Sequence, residues 1–356
     1  MKGGIEVRLV SPSFEREYGD YVRARADSSF YHSLEWRDVL VGGLGLSPRY
    51  LAAIDGGGVA GVLPLCVVES IYFGRRLVSL PYCRHLPVLA DGEAAAAALF
   101  DRAVSLAGDT RCRTLELRTG GLAPGPAGFA RIDHFADFRL DVSGGMDSFL
   151  AGGRRMSCRQ SVRRAARDGL TVRTGAGLDD YRLLHGLVRE TRRRQGAPAL
   201  PFGFYRGIWQ AAMRGAPVRL YLCEKNGEAV AGCVVVRSAG ASHMFDAVST
   251  ARREVLRARP NHLLVWHAVR DAIADGAHIF DFGPNHRANA KLSAYKMSWG
   301  AKEEPVPHYV LALRPGRNDA EDVSQPAYGA ARWLIRNAPA AIFSPSWAPK
   351  LYLEVL

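Results

Sequence analysis

One stretch of this chain, residues 280–301, combines residue types and spacings that are suited to acyl transfer. A short apolar strand ends at Asp281 and Gly283, a polar loop follows, and a Tyr295-Lys296 pair precedes an aromatic residue and a glycine. A carboxylate at the end of a strand can accept a proton, and a buried ammonium can stabilise negative charge on a carbonyl oxygen. The stretch therefore predicts a site where an amine attacks an activated acyl group.

Lys296 is the predicted electrophilic group of this site. Tyr295 and Trp299 flank it in sequence, so its ammonium would lie in a dry aromatic pocket where its field is poorly screened. Such a charge can stabilise the oxygen of a tetrahedral intermediate. The alternative is a surface lysine whose aliphatic chain packs along core aromatics while its charge stays in water.

Asp281 is the predicted proton acceptor because it stands at the end of a strand. Asp246 and Glu35 are alternative acceptors, and the alternative role for Asp281 is to cap backbone amides of the following loop. In that loop Asn285 and Arg287 would line the entrance and hold polar or phosphate groups of the substrate. Loops of this composition also occur as ordinary surface turns.

A basic helix predicted over residues 148–168 is a second candidate surface. Its arginines recur every four residues, so Arg159 and Arg163 share one face while Cys158 and Val162 lie on the other. Like charges at this spacing destabilise an isolated helix by roughly 0.2–0.5 kcal/mol per pair, which a bound anion would offset. The alternative is a solvated face neutralised by acidic residues from elsewhere in the chain.

The composition is that of a globular protein with a basic surface. Of the 356 residues 48% are hydrophobic and 23% are charged, which suits two domains of ordinary size with large buried cores. The net charge of +12 favours an anionic partner, such as nucleotide phosphates, a tRNA or a phospholipid surface. The alternative is that the excess of positive charge reflects an arginine-rich proteome.

Cysteine usage and the N-terminal sequence predict a cytoplasmic protein. The six cysteines form no Cys-x-x-Cys pair and the histidines lack ligand spacing, so we predict free thiols, no metal and no tightly bound cofactor. The N-terminus lacks the pattern of a signal peptide, and no run of about 20 apolar residues could span a bilayer.

An internal repeat predicts two domains built on the same plan. Residues 50–68 and 218–236 each show the pattern of a β-hairpin, with Val-Ala-Gly in the second strand of both. A helix and then a strand follow each hairpin, over residues 93–118 and 260–282. The fold class predicted from this repeat is α+β.

The motif and the repeat together resemble the Fem family of aminoacyl transferases. Asp-Phe-Gly at 281–283, the later Tyr-Lys pair before a glycine, and the aromatic segment 30–36 ending in Trp36 carry the resemblance. The basic helix also has a counterpart in Fem-like chains. The resemblance covers about residues 25–312, matches Lys296 to the lysine of the family's Phe-Lys pair, and places Trp36 among the substrate-binding residues.

The resemblance implies two tandem GNAT-like (acetyltransferase-like) domains, each a mixed, mostly antiparallel sheet flanked by helices. We assign the first to residues 1–143 and the second, with the active site, to 147–313, with a glycine-containing hinge at 141–145. Residues 314–356 form a tail that, in such a family, packs back onto the first domain. The alternatives for this apolar tail are contact with a membrane surface or with a partner.

The resemblance also implies amide-bond formation between an activated acyl donor and an amine of a cell-envelope precursor or another phosphate-linked small molecule. The donor would be an aminoacyl-tRNA or a thioester. The first alternative is an N-acyltransferase that uses acyl-CoA or an acyl carrier protein, as in exopolysaccharide biosynthesis. The second is a non-catalytic protein that holds nucleic acid or an anionic membrane through the basic helix.

Overall fold

The computed structural model describes residues 4–70, 74–83, 86–118, 127–151, 156–238 and 240–314. Over these residues the chain forms two compact units, one comprising residues up to 135 together with 305–314, and the other comprising 136–304. The predicted domain ranges differ from these units in two places. The units divide at 135/136 rather than at 143/147, and residues 305–314 belong with the first unit because they pair with one of its strands.

The N-terminal part of the chain contains two short 3₁₀ turns, three helices and six strands among its described residues. In chain order they are β1 (Glu6–Leu9), a turn (Pro12–Phe14), α1 (Glu15–Ala24), a turn (Phe30–His32), α2 (Leu34–Leu44), β2 (Ser47–Asp55), β3 (Gly58–Ser70), β4 (Gly74–Ser79), β5 (Leu89–Ala90), α3 (Glu93–Asp109) and β6 (Thr114–Leu117).

The rest of the described chain alternates strands and helices. In order these are β7 (Ala130–Asp141), α4 (Gly145–Ala151), α5 (Met156–Arg167), β8 (Leu170–Gly175), α6 (Leu178–Gln195), α7 (Phe202–Met213), β9 (Val218–Lys225), β10 (Glu228–Ser238), β11 (Ala241–Ser249), α8 (Arg253–Arg257), α9 (Pro260–Ala274), β12 (Ile279–Asp281), β13 (Asn285–His286), α10 (Ala290–Ser298) and β14 (Lys302–Ala312).

Each unit contains a mixed sheet in which antiparallel pairs predominate. The strand order is β1-β2-β3-β4-β6-β14 in the first unit and β7-β12-β11-β10-β9-β8 in the second. The parallel pairs are β4 with β6 and β11 with β12. The predicted fold class, α+β with mostly antiparallel sheets, is confirmed.

The two predicted hairpins are present as β2–β3 and β9–β10. The second turns at Asn226 and Gly227, whose φ angles are 53° and 79°. Two consecutive positive φ angles match the right-handed twist of the flanking strands, which is why Asn-Gly is favoured at this turn.

The predicted helices α3 and α9 each pack one apolar face on their own sheet. In α9 the side chains of Leu264, Ala268 and Val269 are buried, and they join a core cluster with residues of strands β7, β10 and β12. Burying a leucine of this kind contributes roughly 1.5–3 kcal/mol relative to leaving it in water. The same residues therefore hold in place the strands that carry the site described below.

The predicted basic helix at 148–168 is described as two helices, α4 and α5, with residues 152–155 between them outside the described range. Ala151 is the last described residue of α4, and in the sequence a Gly-Gly pair of low helix propensity follows it. Cys158 and Ala165 form the buried side of α5. The predicted division into a core face and a basic face is confirmed for this segment.

The tail predicted for 314–356 lies outside the described residues apart from Arg314, so its packing onto the first domain stays a prediction. All six cysteines are described, and each is a buried free thiol, as predicted. Within the described residues, no helix has both the length and the apolar content that crossing a membrane requires.

Candidate active site

The site lies in the second unit, where the parallel strands β11 and β12 part. They pair from Ala241 with Ile279 to His243 with Asp281, and beyond His243 strand β11 continues along β10 alone. On its other side β12 pairs with β7, which sets Asp281 opposite Arg139. Residues paired across strands share a face of the sheet, so His243, Asp281 and Arg139 project to the same side.

Lys296 approaches this point from α10, where its side chain is only 4% exposed. Its Nζ donates a hydrogen bond of 2.5 Å to the carbonyl oxygen of Gly283, the second residue after β12. The same ammonium lies 4.9 Å from the centroid of the Phe138 ring on β7, a cation–π distance. A buried ammonium is therefore held at the parting strands, in a low-dielectric setting that strengthens its field.

Gly283 connects the predicted lysine and the predicted carboxylate through its backbone. Its amide donates to Asp281 Oδ1 at 2.7 Å while its carbonyl accepts from Lys296. Its φ angle is 72°, and a Cβ at this position would lie 3.3 Å from the carbonyl oxygen of Met244 on β11. Both the left-handed backbone and the close approach of β11 require glycine here.

Replacing Gly283 with alanine is therefore expected to affect stability and activity together. A side chain in a disfavoured backbone region costs of order 1–3 kcal/mol in the free energy of unfolding. Gly276→Ala is the matched control, because Gly276 has φ of 80° but open space around its Cβ position. Urea unfolding should show a loss for both variants, and kcat should fall for Gly283→Ala alone. Equal kcat values for the two would contradict this role of Gly283.

Asp281 is buried and ionised. Burial alone would raise its pKa, but the hydrogen bond and charge of His243, the Gly283 amide and the charge of Arg139 outweigh that effect, so its pKa lies below the ordinary value. His243 Nδ1 is 3.2 Å from Asp281 Oδ2. A carboxylate with a lowered pKa binds protons weakly, so Asp281 is better suited to orienting its neighbours than to accepting a proton.

Asp137 on β7 is the functional candidate that sequence reasoning missed. Its side chain is 1% exposed, and from the described residues neither carboxylate oxygen accepts a hydrogen bond. Burial raises its pKa well above the ordinary value, Asp281 raises it further, and Arg139 and Lys296 partly offset the effect. Asp137 and Asp281 thus form a pair of carboxyls with opposite pKa shifts, which is a pattern of acid–base sites.

Arg139 bridges the carboxylates of the site. Its guanidinium lies 3.3 Å from Glu304, 3.8 Å from Asp137 and 4.0 Å from Asp281. In sequence Asp137 and Arg139 alternate with the buried Phe138, which is the pattern of a strand with one face in water. The alternation alone therefore gave no signal that Asp137 is buried.

Asn285, a predicted substrate-binding residue, is also buried beside α10. Its Nδ2 donates to Ser293 Oγ and to the carbonyl oxygen of His286, both at 3.1 Å. Its Oδ1 is buried and accepts no hydrogen bond from the described part of the chain. Buried amide oxygens normally have a donor, so Asn285 has the capacity to accept one from a substrate.

Comparisons with known proteins identify the fold in which this site is built. Residues 152–297 match the family model for the acetyltransferase (GNAT) domain. The structure is similar to that of FemX, with a TM-score of 0.66 and 15% sequence identity over 92% of this chain and 100% of the other.

The chain has the tandem GNAT fold of FemX.

Two further solved structures share this fold. The C-terminal domain of a putative lysylphosphatidylglycerol synthetase from Agrobacterium fabrum matches with a TM-score of 0.56 and 14% identity, over 91% of this chain and 95% of the other. A tandem GNAT protein from the clavulanic acid biosynthesis pathway matches with a TM-score of 0.54 and 14% identity, over 88% and 100%. No curated protein matches the chain by sequence. The predicted resemblance to Fem proteins is confirmed at the level of the fold.

Within this tandem GNAT fold, the predicted aromatic neighbours of Lys296 lie toward the core. Trp299 is fully buried, with ring centroids 6.4 Å from Phe282 and 5.8 Å from His262. Tyr295 is half-buried, its ring 5.1 Å from that of His262. Adjacent helical positions differ by about 100°, so Lys296 leaves α10 on a different side from Tyr295, and its ammonium lies beside the Phe138 ring.

The remaining predicted binding residues lie on other surfaces. Arg287 is half-exposed, with its Nε 3.3 Å from Glu303 Oε1. On α5, Arg159 donates to the carbonyl oxygen of Leu150 at 3.2 Å and Arg163 is exposed. Their binding roles stay predictions.

Trp36, also predicted to bind substrate, lies in the first unit. It is 1% exposed, with its ring centroid 5.9 Å from that of Phe30 and 5.0 Å from that of Tyr31.

The two alternative proton acceptors differ from Asp137 in their surroundings. Glu35 is half-buried in the first turn of α2, and the carboxylate of Asp246 accepts two hydrogen bonds.

Proposed function

We propose that this protein is an acyltransferase that joins an activated acyl group to an amine, with Lys296 stabilising the oxyanion and Asp137 accepting the amine proton. One observation carries the proposal: beside the end of β12 lie a buried ammonium, bound to Gly283, and, on the paired strand β7, a buried carboxyl that accepts no hydrogen bond from the described residues. The influence of Lys296 on the pKa of Asp137 supports their proximity.

The proposed reaction proceeds by addition and elimination. The amine lone pair forms a bond to the acyl carbon, and the carbonyl π electrons move to the oxygen, where the Lys296 ammonium stabilises the charge. The proton lost by the nitrogen passes to Asp137. The oxygen then re-forms the carbonyl, the bond to the donor breaks, and the leaving alkoxide or thiolate takes the proton from Asp137, which returns to its ionised form.

The surroundings of Asp137 suit it to this step better than those of Asp281. A raised pKa makes a carboxylate a stronger base, and an ammonium-bearing acceptor entering beside it would favour its ionised form. Asp281, ionised and hydrogen-bonded, would keep Gly283 and therefore the Lys296 ammonium in position. Asn285 Oδ1 would accept a hydrogen bond from the bound amine.

For the donor we propose an aminoacyl-tRNA, with acyl-CoA or an acyl carrier protein as the second candidate class. The fold shared with FemX and with a putative lysylphosphatidylglycerol synthetase supports an aminoacyl donor and a cell-envelope or other phosphate-linked precursor as acceptor. The fold shared with a tandem GNAT protein of clavulanic acid biosynthesis, solved without AcCoA, supports a thioester. The net charge of +12 suits any of these anionic donors.

A donor screen tests the proposal. Purified protein would be mixed with aminoacyl-tRNA, acyl-CoA or acyl carrier protein and a panel of primary amines, with amide products and bound donors read by mass spectrometry. We expect amide formation with one donor class and its loss in Lys296→Ala. Donor binding without turnover, weakened by Arg159→Ala and Arg163→Ala but not by Lys296→Ala, would favour the non-catalytic alternative instead.

A further inference from the structure

Strand β11 contains a backbone conformation that its sequence does not favour. Asp246 has a φ angle of 47°, and among the described non-glycine residues with positive φ it alone lies inside a strand. An aspartate held in this region costs of order 1–3 kcal/mol, so the surrounding contacts must maintain it.

The strain coincides with a bulge in the pairing of β10 and β11. Gly232 pairs with Val248 and Val234 pairs with Phe245, so Asp246 and its neighbour together oppose a single residue of β10. A bulge of this kind bends its strand and increases the local twist. The bend lies three residues beyond His243, the last residue of β11 that pairs with β12.

Two side chains from neighbouring helices hold the bulge. The buried Tyr205 of α7 donates to Asp246 Oδ2 at 2.6 Å, and Arg192 of α6 donates to Oδ1 at 3.1 Å. The Asp246 side chain is only 6% exposed, so these bonds are shielded from water. Both of its carboxylate oxygens are occupied, which suits a structural anchor rather than a proton acceptor.

We propose that Asp246, through Arg192 and Tyr205, is a positioning residue that sets where β11 leaves β12 and thereby the placement of Gly283. Met244, two residues before Asp246, has its carbonyl oxygen 3.3 Å from the position that a Cβ on Gly283 would occupy, so the two backbones lie close together. Gly283 in turn accepts the hydrogen bond of Lys296, so the bulge is connected to the ammonium through Met244 and Gly283. This inference rests on the proposed acyltransferase function.

Four variants test the inference. In Asp246→Asn the asparagine tolerates the positive φ and can still accept a hydrogen bond from Tyr205. Asp246→Gly removes the carboxylate without a cost in backbone conformation. Asp246→Ala removes the carboxylate and also places a residue that disfavours positive φ at this position. Tyr205→Phe removes one donor. We expect kcat to fall about 10²-fold for the glycine and alanine variants, as for a displacement of about 1 Å, with KM little changed and with asparagine retaining most activity.

Asp180→Asn is the matched control, because this carboxylate also binds an arginine, Arg173, at 2.7 Å in the same unit. Its kcat should not change. A purely structural role for Asp246 predicts a different result, in which Asp246→Ala loses stability, Asp246→Gly does not, and kcat stays at the wild-type value in both. That outcome would overturn the inference.

Amide hydrogen exchange separates this inference from the proposed function. Exchange over residues 243–247 and at Gly283, measured without substrate, should accelerate in Asp246→Gly but not in Asp180→Asn. If wild-type protein transfers no acyl group from any donor, the proposed function fails, while accelerated exchange still supports the anchoring of β11. Unchanged exchange would overturn the positioning role even in an active enzyme.

Discussion

Replacing Lys296 with methionine is expected to lower kcat about 10²–10³-fold, with little change in the KM for the donor. Lys296 is 4% exposed and its ammonium binds the Gly283 carbonyl, so the charge is already oriented before the oxyanion forms. A charge arranged in advance in a dry site stabilises the transition state more than the ground state, which is why the loss should appear in kcat. Steady-state kinetics with the donor identified in the screen would measure it.

Lys291→Met is the matched control for this substitution. Lys291 lies on the same helix, α10, but is exposed to solvent, so its loss should leave kcat within about threefold of wild type. Urea unfolding of both variants would show whether a loss of activity reflects unfolding. If Lys296→Met stays folded and keeps full activity, Lys296 does not have the electrophilic role.

Asp137→Asn is expected to lower kcat/KM by roughly 10²–10⁴-fold and to remove one ionisation from its pH profile. In the wild type Asp137 must lose its proton to act as a base, so activity should fall as pH drops through its raised pKa. The amine acceptor titrates equally in both proteins, so the difference between the two profiles isolates Asp137. If the wild type and Asp137→Asn lose activity in the same way at low pH, Asp137 is not the base.

Glu304→Gln is the control, because Glu304 also faces Arg139 but is about half-exposed. We expect its kcat/KM to remain within about threefold of wild type, since an exposed ion pair contributes little. An equal loss in both variants would indicate that the charge around Arg139 matters rather than proton transfer by Asp137.

Stability should respond to Asp137→Asn in the opposite direction from activity. Burial raises the folded-state pKa of Asp137 above its unfolded value of about 3.9, so its contribution to stability is present below that pH and is lost as pH rises toward the folded pKa. Asparagine does not ionise. The variant should therefore gain stability relative to wild type as pH rises from about 4 to 7, which urea unfolding across this range would measure.

The sequence was most informative where local chemistry decides local structure. The Asn226-Gly227 turn sets its hairpin, because few residue pairs adopt two positive φ angles at low cost. Helix α9 follows from apolar spacing and from Pro260, which suits a first helical turn. The repeat of these elements was enough to predict two similar units and their fold class.

Strands without a strong local signal were missed, and one of them carries part of the site. Strand β11 contains polar residues such as His243 and a strained aspartate, so it lacks the apolar alternation that identifies a strand. Only pairing with β10 and β12 makes this segment a strand. The sequence therefore predicted neither the bulge in β11 nor the contact of His243 with Asp281.

By itself the sequence determined a plan of two similar α+β units and drew attention to Lys296 and Asp281, because both follow from short-range pattern and residue type. Only the tertiary structure decided which carboxyl is suited to act as a base. The pKa of Asp137 depends on burial and on neighbours that are distant in sequence, from Asp281 to Lys296. Electrostatic surroundings are a property of the folded sheet, and no spacing along one strand encodes them.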